Sequence, residues 1–192
     1  MQIRRSNAER RQETRGSLLA AARVLFLEKG YTATATPELV ERAGVTRGAL
    51  YHHFKDKLAV FQGVVEQEAA DVAAEIARGT ADAKSPLAAL LQGAHAYFVA
   101  MRVPGRVRLL LLDGPAVLGP DEMRRIDLEA GGHELRAGIQ DAVGARLDPA
   151  QVNAVADLVS AMFDRAALAG EADHETHLYE EALVRLLTAL IK

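Results

Sequence analysis

The 192-residue chain predicts an all-α fold of about nine helices. Three observations carry that expectation. Apolar residues recur at helical period along most of the chain, and no strand-like alternation interrupts them. All six prolines fall in the first turn of a predicted helix or at a break between helices, where a missing amide costs little. The composition, 49% hydrophobic with only 5% aromatic residues and many alanines, suits closely packed helices. Length and patterning divide the chain into a small unit over residues 1–56 and a larger helical unit over 57–192.

Within the small unit, a helix starts near residue 35. Thr34 or Thr36 offers a capping hydroxyl, and Pro37 sits where a first-turn amide has no partner anyway. Leu39, Val40 and Ala43 form its apolar stripe, and Gly44 ends it by taking the left-handed conformation that other residues resist. Val45 pins the turn inward and Thr46 caps the next helix, so two helices are joined by a turn of about three residues: helix-turn-helix spacing. On the second of these helices Leu50, His53 and Phe54 gather on one side. Arg47, Gly48, Tyr51 and His52 sweep the other, and Gly48 and Ala49 leave clearance for a groove wall.

Asp56 caps the next helix, a long connecting element from 57 to about 79 with a stripe of Phe61, Val64, Val65, Glu68, Val72 and Ile76. Ser85-Pro86 opens a helix through Met101, and Pro104-Gly105 breaks it. A short apolar segment, 107–112, ends at Asp113-Gly114-Pro115, where a loop is expected. Pro120 begins a helix to about Leu147 that Gly131-Gly132 kinks or interrupts. Asp148-Pro149 begins another, to about Ala169-Gly170, and a last helix covers about 173–191.

Charge separates the two units. Residues 1–60 hold eleven Lys and Arg against six Asp and Glu, a balance of plus five, whereas residues 61–192 hold twelve against twenty, a balance of minus eight. A basic end beside a helix-turn-helix is the electrostatic footprint of nucleic-acid binding. Arg4, Arg5, Arg10, Arg11 and Arg15 crowd that terminus, either to reach a minor groove or to stay solvated.

Other chemistry is poorly provided for. Without cysteine the chain has no disulfide, thiolate nucleophile or cysteine-bound zinc, in keeping with a reducing cytoplasm. No signal-type apolar block opens the sequence, and no run approaches the roughly 20 apolar residues that span a bilayer, so neither membrane nor export is expected. There is no phosphate-binding glycine loop, nucleophile elbow or H-E-x-x-H pair, and Asp113 with His133 is an unsupported pairing. His174 and His177, beside Asp173 and Glu175, have metal-like spacing, but a solvated helix face explains them. An enzyme, a cofactor and a metal site are accordingly not expected.

The segment from Arg15, R-G-S-L-L-A-A-A-R-V-L-F-L-E-K-G-Y-T-A-T, then R-A-G-V, T-R-G-A-L-Y-H-H-F and K-D-K, resembles the DNA-binding domain of TetR-family transcriptional regulators over roughly residues 11–65. Pro37 and Val40 depart from that pattern, at the start of the second helix. The resemblance implies that Thr34 and Lys57 grip phosphates, that Thr46, Arg47, Gly48 and Ala49 approach the major groove, and that Tyr51 and His52 contact backbone or bases. It further implies a homodimer built from the two carboxy-terminal helices through Val155, Leu158, Val159, Met162, Leu183, Leu186, Leu187 and Leu190, part of which must serve the chain's own core. An inducer would lie among the helices between about 86 and 147, with His95, Tyr97, Phe98, Met101, Leu110, Asp113, Met123, Ile126 and Phe163 as candidate lining. The expected function is that of a homodimeric repressor released from a pseudo-palindromic operator in double-stranded DNA by a small-molecule effector. An activator or a ligand-independent DNA-binding regulator is the alternative, and an enzyme on a borrowed fold a remote one.

Overall fold

The computed structural model describes residues 6–173 and 176–191, and no strand occurs among them. The first helix, α1 (Asn7–Ala33), starts at a capping box: Ser6 Oγ accepts from the Glu9 amide at 3.1 Å and Glu9 Oε2 accepts from the Ser6 amide at 2.6 Å. Its helical geometry breaks at Gly30, with φ 77°. Then follow α2 (Thr36–Ala43), α3 (Arg47–His53) and the long α4 (Lys57–Thr80), whose cap is Asp56 accepting from the Ala59 amide at 2.8 Å. α5 (Pro86–Met101) is capped by Ser85 through the Ala88 amide at 3.2 Å.

Beyond α5 the chain turns through residues 102–107 and enters a π-helical stretch, Arg108–Asp113, that runs directly into α6 (Gly114–Leu118). The loop expected at 113–115 is therefore helix. Pro115 lies in the first turn of α6, where its missing amide is tolerated, and the break comes at Gly119, with φ 85°. α7 (Pro120–Asp127) passes through a second π turn, Leu128–Gly132, into α8 (His133–Val143), so Gly131-Gly132 does interrupt the long helix expected there. α9 (Pro149–Asp173) and α10 (Thr176–Ile191) complete the fold.

Two apolar clusters hold these helices. The first joins α1, α2, α3 and α4 through Leu18, Phe26, Leu39, Leu50, Val60, Phe61 and Val64, and continues beyond α4 to Met101, Leu109 and Ile126. Phe26 and Phe61 meet edge to face at 5.1 Å, and Tyr31 meets Phe61 at 5.2 Å. The second cluster joins α5, α8, α9 and α10 through Phe98, Ile139, Val159, Phe163, Leu183 and Leu187. Each fully buried side chain of this size contributes about 1.5–3 kcal/mol, so the short α2 and α3 owe their helicity to docking on α1 and α4 more than to propensity.

Candidate nucleic-acid interface

The turn between α2 and α3 is fixed by backbone chemistry. Gly44 takes φ 65° and ψ 30°, its amide donates to Glu41 O at 3.1 Å, and the Val45 amide donates to Val40 O at 3.0 Å. That paired return satisfies the last carbonyls of α2 and sets the direction in which α3 leaves. Thr46 then caps α3, its hydroxyl accepting from the Ala49 amide at 3.1 Å.

Two side chains of α3 anchor it: Leu50 is fully buried and Phe54, just past its end, is nearly so. The opposite face is free. Thr46, Arg47, Gly48, Tyr51 and His52 are exposed and Ala49 half-buried. The Arg47 guanidinium lies 5.5 Å over the Tyr51 ring, which orders a long cationic side chain along the helix surface. His53 is half-buried beside Phe54; desolvation first, then the charges of His52, Arg11 and Arg15, hold its pKa below the ordinary imidazole value. α2 is braced against α1 by Arg42 on Glu28, at 2.7 and 3.2 Å, and by Lys29 on Glu38. Arg15 of α1 reaches to within 5.3 Å of the Phe54 ring.

Two expectations at the α1 corner meet a different geometry. Neither Thr34 nor Thr36 caps α2: the cap position is Ala35, whose amide donates to Glu38 Oε2 at 3.0 Å. Thr34 is buried, and its hydroxyl donates back to Gly30 O at 2.8 Å across the break in α1. It has no surface to offer a phosphate. Lys57 turns the same way. Its ammonium donates to Tyr31 O at 2.8 Å, Thr34 O at 2.9 Å and Thr32 O at 3.3 Å, and lies 4.4 Å from the Tyr31 ring centre. An ammonium has three protons, and three carbonyls at the end of α1 take them. Sequence reading missed this because a lysine after a capping Asp looks the same whether it points out or back.

The apolar and aromatic candidate effector residues divide between the two apolar clusters, and of them Tyr97, Phe98 and Phe163 stand in mutual ring contact. Met101, Leu110 and Ile126 pack in the first cluster and Phe98 and Phe163 in the second, with Tyr97 touching both and Met123 packed against the first. Tyr97 donates to Asp164 Oδ1 at 3.0 Å, and desolvation together with that carboxylate raises its pKa well above the ordinary phenol value. His95 is exposed, 2.7 Å from Glu180, and Asp113 faces the Arg108 Nε at 3.0 Å. Two clefts, about 620 Å³ along α10 at His177, Glu180 and Arg185 and about 270 Å³ at Arg136, Gln140 and Asn153, are lined by other residues. The His174 and Glu175 positions lie outside the described residues.

The carboxy-terminal stripes divide by burial. Val159, Leu183 and Leu187 are almost fully buried in the chain's own second cluster, while Leu158 is 66% and Leu186 54% exposed. Val155, Met162 and Leu190 lie between these extremes.

Comparison with known proteins agrees with this geometry. Residues 18–64 match the model described as bacterial regulatory proteins of the tetR family, and residues 87–192, more than half the chain, match the tetracyclin repressor-like carboxy-terminal domain. The chain belongs to the tetR family. Over 63 residues it is 48% identical to the HTH-type transcriptional repressor BepR of Brucella suis, covering 33% of this chain and 30% of BepR. Over 64 residues it is 42% identical to the HTH-type transcriptional activator FasR of Mycolicibacterium smegmatis, covering 33% of this chain and 29% of FasR. The chain thus matches less than a third of the length of these curated relatives. A solved tetR-family regulator from Pectobacterium atrosepticum is similar throughout, with 31% identity, TM-score 0.68 and coverage of 97% of this chain and 96% of that one.

Proposed function

We propose that the protein is a homodimeric transcriptional repressor that reads a pseudo-palindromic operator with α3 and is released by a small-molecule effector. The observation that carries the reading is the division of α3 into a face locked by Leu50 and Phe54 and an exposed face of Thr46, Arg47, Gly48, Tyr51 and His52. Arg47 and His52 supply donors for phosphates or base edges, Tyr51 supplies a hydroxyl for the backbone, and Gly48 and Ala49 admit close approach to the groove. Thr34 and Lys57 contribute by fixing the corner on which α2 and α3 stand.

The exposed leucines of α9 and α10 supply the pairing surface, since Leu158 and Leu186 leave more than half of their surface uncovered within their own chain. A two-fold dimer sets two α3 helices about 34 Å apart, the spacing of successive major grooves. An effector held among α5 to α9 would shift α4 and spread the pair, so operator and effector oppose each other by the same coupling free energy. Activation is the second reading, favoured by the match to FasR, which is named as an activator; transcription of the neighbouring genes on deletion separates the two.

Replacement of Arg47 or Tyr51 by alanine tests the reading face. Both variants should bind a selected genomic fragment about tenfold or more weakly, the scale of one good specific contact, and still sediment as dimers. Wild-type affinity in both would refute the assignment.

A further inference from the structure

Among the described residues only three polar or charged side chains are buried, and two of them, Glu68 and Arg106, touch each other. Glu68 interrupts the apolar stripe of α4. Its Oε1 accepts from Arg23 Nε of α1 at 2.6 Å, and its Oε2 accepts from Arg106 Nε of the turn after α5 at 2.8 Å. Both guanidinium groups then reach further: Arg23 Nη2 donates to Pro104 O at 2.8 Å and Arg106 Nη1 to Ala100 O at 2.8 Å. Asp71, 3.6 Å from Arg106 Nη2, brings the local charge to two against two.

One carboxylate therefore ties three segments that are distant in sequence: α1, the middle of α4, and the turn 102–107. The turn is docked on α1 at two further points. A Cβ at Gly105 would stand 2.6 Å from both Leu27 methyls, so the Leu27 side chain lies directly on the Gly105 backbone, and Arg108 Nη1 donates to Leu27 O at 3.0 Å. From Arg108 the chain is π-helical, a form that is frequent at functional sites. Were α4 the sole link between the two halves, α1 would need none of these bonds.

We infer that Glu68 is the positioning residue that locks α1, and with it α2 and α3, to the larger helical body, so that the 102–107 turn and α4 move the DNA-reading unit as one piece. The inference rests on the proposed function for its consequence but not for its geometry. Movement of the turn or of α4 reaches α3 through two ionic arms on one carboxylate. Loss of that carboxylate removes both ionic arms and leaves the reading unit held by α4, the Leu27 contacts and the shared apolar cluster.

Hydrogen exchange of the full-length protein tests this without DNA or effector. In Glu68→Gln, amides of residues 18–27 and 101–107 should exchange about tenfold faster or more, while those of 152–169 and 178–190 keep wild-type protection. Arg23→Gln, whose half-exposed side chain threatens folding less, should reproduce the change in 18–27, and Glu68→Asp, too short to serve both arms, should not restore protection. Unchanged exchange in 18–27 in Arg23→Gln, or equal acceleration along the whole chain in both variants, overturns the inference, because the latter is the mark of general destabilisation. Local acceleration in a protein that ignores every duplex supports the lock and rejects the regulator reading instead.

Discussion

Removing the Lys57 charge separates two roles that the sequence could not distinguish. In Lys57→Met the aliphatic stem survives and the ammonium is lost, leaving Tyr31 O, Thr32 O and Thr34 O without their shared donor. Hydrogen bonds to a charged group contribute about 1.5–3 kcal/mol each. Water can reach the Thr32 carbonyl and part of the other two, so the summed loss is far smaller, about 2 kcal/mol after allowance for solvent. For a chain of this size that corresponds to a fall of about 4–8 °C in Tm. Thermal unfolding followed by circular dichroism measures the first effect, and titration of a bound duplex at several salt concentrations measures the second. Lys57 has no proton left for a phosphate, so the variant should bind more weakly at every salt concentration while the slope of log affinity against log salt stays as in the wild type. A slope reduced by about 0.9, the value of one phosphate contact, in a variant of unchanged Tm would refute the carbonyl assignment.

Three other outcomes follow from the same geometry. Leu158→Glu combined with Leu186→Glu should give a folded monomer by sedimentation, whereas Leu187→Ala, in the fully packed core, should cost about 2–5 kcal/mol in urea unfolding; a double variant that stays dimeric would contradict the pairing surface. Gly105→Ala should lose about 3 kcal/mol of stability from its positive φ and the overlap with Leu27 together, and a variant as stable as wild type would show that Leu27 yields freely. Burial by itself raises the Glu68 pKa, but the hydrogen bonds from Arg23 and Arg106 outweigh it and hold the carboxyl below its ordinary value of 4.5. A lowered folded-state pKa means that the lock's contribution is full above that ordinary value and is lost as pH falls through the depressed one, so Glu68→Gln should flatten the acid side of the stability curve; an acid limb as steep as in the wild type would speak against it.

Much of the fold was legible because local rules and tertiary packing agree. Gly44, Thr46, Asp56 and Ser85 end or start helices where their chemistry says they should, and the Leu50–Phe54 face is buried as helical spacing requires. Legibility failed where a residue had two compatible partners. The hydroxyl of Thr34 can cap forward or bond backward, and only the break at Gly30 decides for the latter. Pro115 can close a helix or open one, and here it opens α6. Glu68 was visible as a carboxylate within an apolar stripe, yet its partners lie 45 and 38 residues away, beyond any periodicity. The exposed side of α3 was read from spacing alone, and the division of the effector candidates between two clusters was not, because core and pocket residues share one composition.

Retention of genomic fragments by the purified protein, followed by footprinting of those retained, tests the central claim most directly. Two α3 helices carried by one dimer should protect an inverted repeat whose half-site centres lie about 34 Å apart or a little more, with affinity falling steeply as salt rises. Retention of no fragment at low ionic strength, or protection without any repeated half-site, would contradict it.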